Sequence, residues 1–129
     1  MLSAHILSID DEKLIRDLLV EYLGMSGYHV EGIGDPHQAL KSVENNDYDL
    51  LLLDMKMPGM TGKDFFTALS SSKPEMTSRI VFITGDIVTH ETRAFLEGTG
   101  RPAVEKPFDL AEVKRIVAEE LSANTQQKP

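Results

Sequence analysis

The sequence predicts a doubly wound α/β domain with five parallel strands in the order 2-1-3-4-5 and five helices on the two faces. Three observations carry that expectation. Five short apolar runs alternate with amphipathic segments along the 129 residues. Leu50–Leu53 is an unbroken leucine run, the pattern of a strand buried on both faces of a parallel sheet. Right-handed crossovers leave few topologies for five successive β–α units, and 2-1-3-4-5 is the natural one at this length.

Each element has its own signal. The run His5–Ile9 reads as strand 1 and stops abruptly at Asp10 and Asp11. Leu14, Ile15, Leu18, Leu19, Tyr22 and Leu23 recur with helical period, and Gly24 and Gly27 close that helix. Tyr28–Ile33 reads as strand 2. Asp35 followed by Pro36 is an N-cap with proline in the first turn, opening a helix through Ala39, Leu40 and Val43. Leu50–Leu53 is strand 3, followed by the Pro58-Gly59 loop and a helix carrying Phe65, Phe66 and Leu69. Ile80–Ile83 is strand 4. Val88–Leu96 has a weaker apolar stripe and ends at Gly98 and Gly100. A short strand 5 around Pro102–Glu105 runs into Lys106-Pro107. Asp109 and Glu112 have capping-box spacing, and Leu110, Val113, Ile116, Val117 and Leu121 face the core. These elements predict one domain over residues 1–121, with 122–129 as a polar tail or linker.

Composition excludes several classes. Apolar content of 41% and charged content of 26% lie near globular averages, which argues against disorder or fibre. No apolar run approaches the roughly 18 residues of a membrane span, so no membrane partner is expected. The N-terminus lacks the basic flank and small-residue cleavage site of a secretory signal. The absence of cysteine removes disulfides and thiolate metal sites and fits a cytoplasmic location. A formal charge of −8 argues against nucleic acid as a partner of this domain, because phosphate contacts need clustered Lys and Arg.

The chemistry follows from where polar residues interrupt the apolar runs. Ligands of an open parallel sheet bind beyond the carboxyl ends of its strands. Asp10 and Asp11 end strand 1, Asp54 ends strand 3, Thr84 ends strand 4 and Lys106 ends strand 5. Taken singly, each has a plainer reading: an aspartate or threonine after a strand is commonly a turn former or cap, and a lysine before proline a solvated charge. Their grouping changes the weighing. Two like charges about 4 Å apart repel by about 4 kcal/mol at an effective dielectric near 20, so gathered carboxylates need a cation. Hard oxygen ligands that leave room for water favour Mg²⁺. Lys106 adds a second positive charge. His5, His29, His37 and His90 show no ligand spacing and read as structural or surface residues. Met55, Met57 and Met60 read as loop packing.

These motifs together resemble a response-regulator receiver domain over residues 4 to 121, a flavodoxin-like fold of two-component signalling. The matching residues are Asp10-Asp11-Glu12, the loop Leu53-Asp54-Met55-Lys56-Met57-Pro58-Gly59-Met60-Thr61-Gly62, the Thr84-Gly85 step and Lys106-Pro107-Phe108. The resemblance implies that Asp54 accepts a phosphoryl group from a sensor histidine kinase, a histidine phosphotransfer protein or a small acyl phosphate. It implies Mg²⁺ on Asp11, Asp54 and the Lys56 carbonyl, with Asp10 acting through water. Lys106 would neutralise charge on the phosphoryl oxygens, Thr84 would donate its hydroxyl to them, and Gly85 would leave them space. It further implies a cis Lys106-Pro107 peptide and a downstream effector on the helix 4–strand 5–helix 5 face. No turnover of an outside substrate is implied, only self-phosphorylation and autodephosphorylation.

Three positions depart from the common receiver pattern or tune it. Ala103 stands where many receivers carry an aromatic switch. Lys56 and Asp86 are placed to pair across the site mouth and set phosphoryl lifetime. Other classes fit less well. A dehalogenase-type phosphatase wants a second Asp two residues after the nucleophile, where Lys56 stands. A dinucleotide-binding module wants a glycine-rich turn after strand 1, where Asp10-Asp11-Glu12 is its electrostatic opposite. A degenerate receiver that only binds protein would not need the acceptor, acidic pair, Thr and Lys together.

Overall fold

The computed structural model describes residues 3–85 and 89–127. Five strands, β1 (His5–Ile9), β2 (His29–Ile33), β3 (Leu50–Asp54), β4 (Ile80–Thr84) and β5 (Ala103–Glu105), form one parallel sheet in the order β2-β1-β3-β4-β5. The helices are α1 (Lys13–Gly24), α2 (Pro36–Asn45), α3 (Gly62–Ser72), α4 (His90–Thr99) and α5 (Leu110–Gln127). The predicted topology and the five α-helices are observed.

The leucine run of β3 explains the layering. A strand's side chains alternate between faces, so Leu51 and Leu53 join one core and Leu50 and Leu52 the other. The first core takes Ala39 and Val43 from α2, Phe65 and Leu69 from α3, and Leu96 from α4. The second takes Leu19 and Leu23 from α1, and Val113 and Val117 from α5. The sheet is thus covered on both sides, and functional groups are left for its edges and ends. No helix among the described residues is long and apolar enough to cross a membrane.

Helix ends follow local chemistry. Asp35 accepts from His37 N ahead of Pro36, as the sequence predicts. Thr61 and Asp64 form a reciprocal capping box at the start of α3 that was not anticipated. Asp109 caps α5 by accepting from Ala111 N.

Several features differ from the sequence reading. A 3₁₀ helix, Pro74–Arg79, fills the connection before β4; it is too short to show a periodic stripe. α4 starts at His90 behind its Thr89 cap and runs through Gly98 to Thr99, with Gly100 (φ 69°) closing it. Val88, the expected start, lies outside the described residues. α5 continues through Gln127, so most of the expected tail is helical. Asn124 Nδ2 ties that extension to Asp49 O at 3.2 Å.

Candidate functional site

The carboxyl ends of β1, β3, β4 and β5 build the site. Backbone pairing continues past the strands and fixes the residues there: Asp10 N donates to Ile33 O, Met55 N to Ile83 O at 2.9 Å, and Lys106 N to Thr84 O at 2.7 Å. Asp10, Asp54 and Thr84 are almost wholly buried, at 1%, 3% and 1% exposure. Burying two carboxylates side by side is costly unless a positive charge compensates them.

Lys106 supplies such a charge. Its Nζ lies 2.8 Å from Glu12 Oε1, 3.2 Å from Asp10 Oδ2 and 3.6 Å from Asp54 Oδ2. Burial works to lower the Lys106 pKa, but Glu12, Asp54 and Asp10 outweigh it and the net shift is upward. The Lys106-Pro107 peptide is cis.

Asp54 is the perturbed acid of the site. Burial first, and Asp10 second, push its carboxyl up to about 7, against the opposing pull of Lys106 and of the Lys56 amide. That amide donates to Asp54 Oδ1 at 3.3 Å. Asp10 Oδ1 accepts from Glu12 N at 2.9 Å, and Arg16 Nη1 holds the Asp10 carbonyl at 2.8 Å. The Arg16 side chain lies so close over Gly32 and Gly34 that a Cβ at either would collide with it. This packing accounts for Gly32 in β2, whereas at Gly34 the contact is with the movable end of the Arg16 side chain.

The acidic group differs in one member from the sequence expectation. One carboxylate oxygen each from Asp10, Glu12 and Asp54 lies within 4.8 Å of the others. Asp11 is exposed on the rim and is not in that group. Glu12 belongs to the acidic motif, and its contact with Lys106, distant in sequence, exists only in the fold. Asp10 Oδ2 is buried, with the Lys106 ammonium 3.2 Å away but no well-aligned hydrogen bond among the described residues. Three carboxylates gathered against one ammonium fit a hard divalent cation.

A cavity of about 240 Å³ beside the site is lined by Met55, Lys56, Thr61, Lys63, Thr84, Glu91, Thr92 and Phe95. A Cβ on Gly85 would meet nothing within 4 Å, so the backbone there borders open space. Asp86, the expected partner of Lys56, lies outside the described residues. Ala103 sits on β5 opposite Phe82.

Comparison with known proteins gives a consistent result. The response regulator receiver domain family model matches residues 6–118. The DNA-binding response regulator MtrA of Mycolicibacterium smegmatis is 32% identical over 120 residues, covering 93% of this chain and 51% of that protein. The DNA-binding transcriptional regulator NtrC of Azospirillum brasilense is 28% identical over 125 residues, covering 97% of this chain and 26% of that protein. The chain therefore spans about half or less of these relatives. A CheY-like receiver domain protein from Methanospirillum hungatei JF-1 matches with a TM-score of 0.89 at 25% identity, over 98% of this chain and 100% of that one. Response regulator TrrA from Thermotoga maritima, solved in complex with Mg²⁺–BeF, matches with a TM-score of 0.78 at 30% identity, over 91% and 98% of the two chains.

Proposed function

The chain belongs to the response regulator receiver domain family, and on that premise we propose that it accepts a phosphoryl group on Asp54 and relays the change to an effector. The observation that carries the reading is the buried Asp54 carboxylate, held between Asp10 and the Lys106 ammonium at the end of β3. An oxygen of ionised Asp54 attacks phosphorus in a phosphohistidine of a sensor kinase or phosphotransfer protein, or in a small acyl phosphate. The new P–O bond forms as the P–N bond, or the acyl phosphate P–O bond, breaks. The electron pair leaves with the imidazole or carboxylate.

The protein's part is electrostatic, because charge in phosphoryl transfer spreads over the equatorial oxygens. Lys106 faces those oxygens from β5, and the Thr84 hydroxyl donates to one of them from β4. Asp10, Asp11, Asp54 and the Lys56 carbonyl would hold Mg²⁺, which supplies further positive charge there when bound. The cluster of Asp10, Glu12 and Asp54 supports Asp10 and Asp54 in that set, while Asp11 and the Lys56 carbonyl rest on the family resemblance. Hydrolysis of the acyl phosphate at Asp54 resets the switch. The effector meets the α4–β5–α5 face, and the cysteine-free composition supports a cytoplasmic setting.

Intact-mass measurement after incubation with acetyl phosphate and Mg²⁺ tests the reading. One phosphoryl adduct is expected on the wild type and none on Asp54→Asn. Equal labelling of both proteins removes Asp54 as the acceptor. No labelling of either, from acyl phosphate or a phosphohistidine donor, leaves the degenerate binding module in its place.

A further inference from the structure

At the amino end of the same strands, about 17 Å from the acidic site by strand length, lies a second cluster of ligand-type side chains. β1 and β2 pair in parallel with His5 opposite His29. Register partners project to the same face, and Glu31, two residues beyond His29, returns to it. One ligand atom from each of His5, His29 and Glu31 lies within 4.8 Å of the other two. His5 Nε2 is 3.5 Å from Glu31 Oε2, and His29 Nε2 is 3.9 Å from Glu31 Oε1.

The plain alternative is a surface ion pair between imidazole and carboxylate. Three details argue against it. His5 Nε2 is buried without a hydrogen-bond partner among the described residues, although the carboxylate is near. The short bond to Glu31 Oε2 comes from the Tyr48 hydroxyl, at 3.0 Å, and that hydroxyl lies 2.6 Å from Ser42 Oγ. The two imidazoles meet edge to face at 4.6 Å, so their nitrogens crowd one carboxylate that is already oriented from behind. Such an arrangement of lone-pair donors is satisfied by one shared cation.

We propose that His5, His29 and Glu31 bind a divalent transition-metal ion of the Zn²⁺ class, with water completing the coordination. Metal–ligand bonds of 2.0–2.2 Å give a tetrahedral edge of about 3.3–3.6 Å, close to the observed His5–Glu31 separation. The His29 side chain is 63% exposed and free to turn inward by the small remainder. Imidazole nitrogen prefers Zn²⁺, Co²⁺, Ni²⁺ or Cu²⁺ over Mg²⁺. Tyr48 is a positioning residue, of the kind that orients a ligating carboxylate through a hydrogen bond. The bound ion ties edge strand β2 to β1, independently of events at Asp54.

Calorimetric Zn²⁺ titration and the visible spectrum of the Co²⁺ form, on tag-free full chain in saturating Mg²⁺, test the site. One ion per chain and a tetrahedral Co²⁺ spectrum are expected, unchanged in Asp54→Asn. His29→Gln, at an exposed position, is expected to weaken binding at least ~10-fold, and Tyr48→Phe by about 10-fold. Absence of binding by the wild type overturns the proposal. So does an affinity left intact by His29→Gln, with unchanged circular dichroism as the folding control.

Discussion

Lys106 holds its ammonium 3.6 Å from Asp54 Oδ2, yet the carboxyl remains raised to about 7 because burial and Asp10 outweigh that attraction. The consequence for stability has a definite sign. A folded pKa above the ordinary carboxyl value of 3.8 means that the native state binds the extra proton between about pH 4 and pH 7. Stability from this group is therefore present at low pH and is lost as pH rises through 7. Asp54→Asn removes the dependence. In EDTA at pH 8 the variant should be more stable than wild type by roughly 2–4 kcal/mol, the cost of keeping this buried carboxyl ionised. The two proteins should converge towards pH 4 in urea denaturation. A constant difference across that range contradicts the argument.

The same repulsion makes the metal-free protein responsive to Mg²⁺. An ion that binds only the native state stabilises it by about 2.7 kcal/mol at 100 times its dissociation constant. Asp10→Asn and Asp11→Ala should each lose most of this gain. They should differ without metal: Asp10 is buried beside Asp54 and its neutralisation should raise the melting temperature, whereas Asp11 is exposed and should leave it nearly unchanged. Melting curves with and without Mg²⁺ measure both. A full Mg²⁺ response in both variants places the ion elsewhere.

Gly62 offers a test of how the acceptor loop is held. Its amide donates to Met55 O at 3.0 Å, bringing the start of α3 against the residues that follow β3. A Cβ there would stand 2.9 Å from Met55 Cα and 3.0 Å from Asp54 O. Those are backbone atoms, so the loop rather than a flexible side chain must give way. Gly62→Ala should cost about 1–3 kcal/mol and slow labelling at Asp54 even where the protein remains folded. Labelling at the wild-type rate would mean that the loop position is not critical.

The parts of this structure legible in the sequence are those with a local or periodic signature. Leu50–Leu53 marks a doubly buried strand, and Asp35-Pro36 marks a helix start, because each signal lies within a few residues of its effect. The strand-end positions of Asp10, Asp54, Thr84 and Lys106 follow once the topology is known. What was missed depends on register or on contacts between distant segments. His5 and His29 meet because β1 and β2 pair at those residues, and no chain spacing announces it. Glu12 reaches Lys106 across the fold. The apolar stripe of α5 fades after Leu121, while helix geometry continues wherever the backbone bonds and no breaker intervenes, so the helix runs on through polar residues to Gln127.

The output step turns on the relation between Thr84 and Phe95. Both line the cavity of about 240 Å³ at the end of β4. Phe95 also meets Phe66 and Phe82 edge to face, with ring centroids 5.7 and 5.6 Å away. Phe82 in turn stands opposite Ala103. The aromatic contacts on this side of β4 thus come from α3 and α4, and Ala103 has no side chain to swing. Thr84, drawn to phosphoryl oxygens by a charge-assisted hydrogen bond, would change the wall that Phe95 shares. α4 buries only Leu96 fully, so few contacts resist its displacement. Backbone NMR with beryllium fluoride and Mg²⁺ should show shifts at Gly85 and through His90–Leu96, and Phe95→Ala should at least halve those in α4 while leaving labelling of Asp54 intact. Perturbations confined to the neighbours of Asp54, with α4 unchanged, would rule out this route because the signal would never reach the helix.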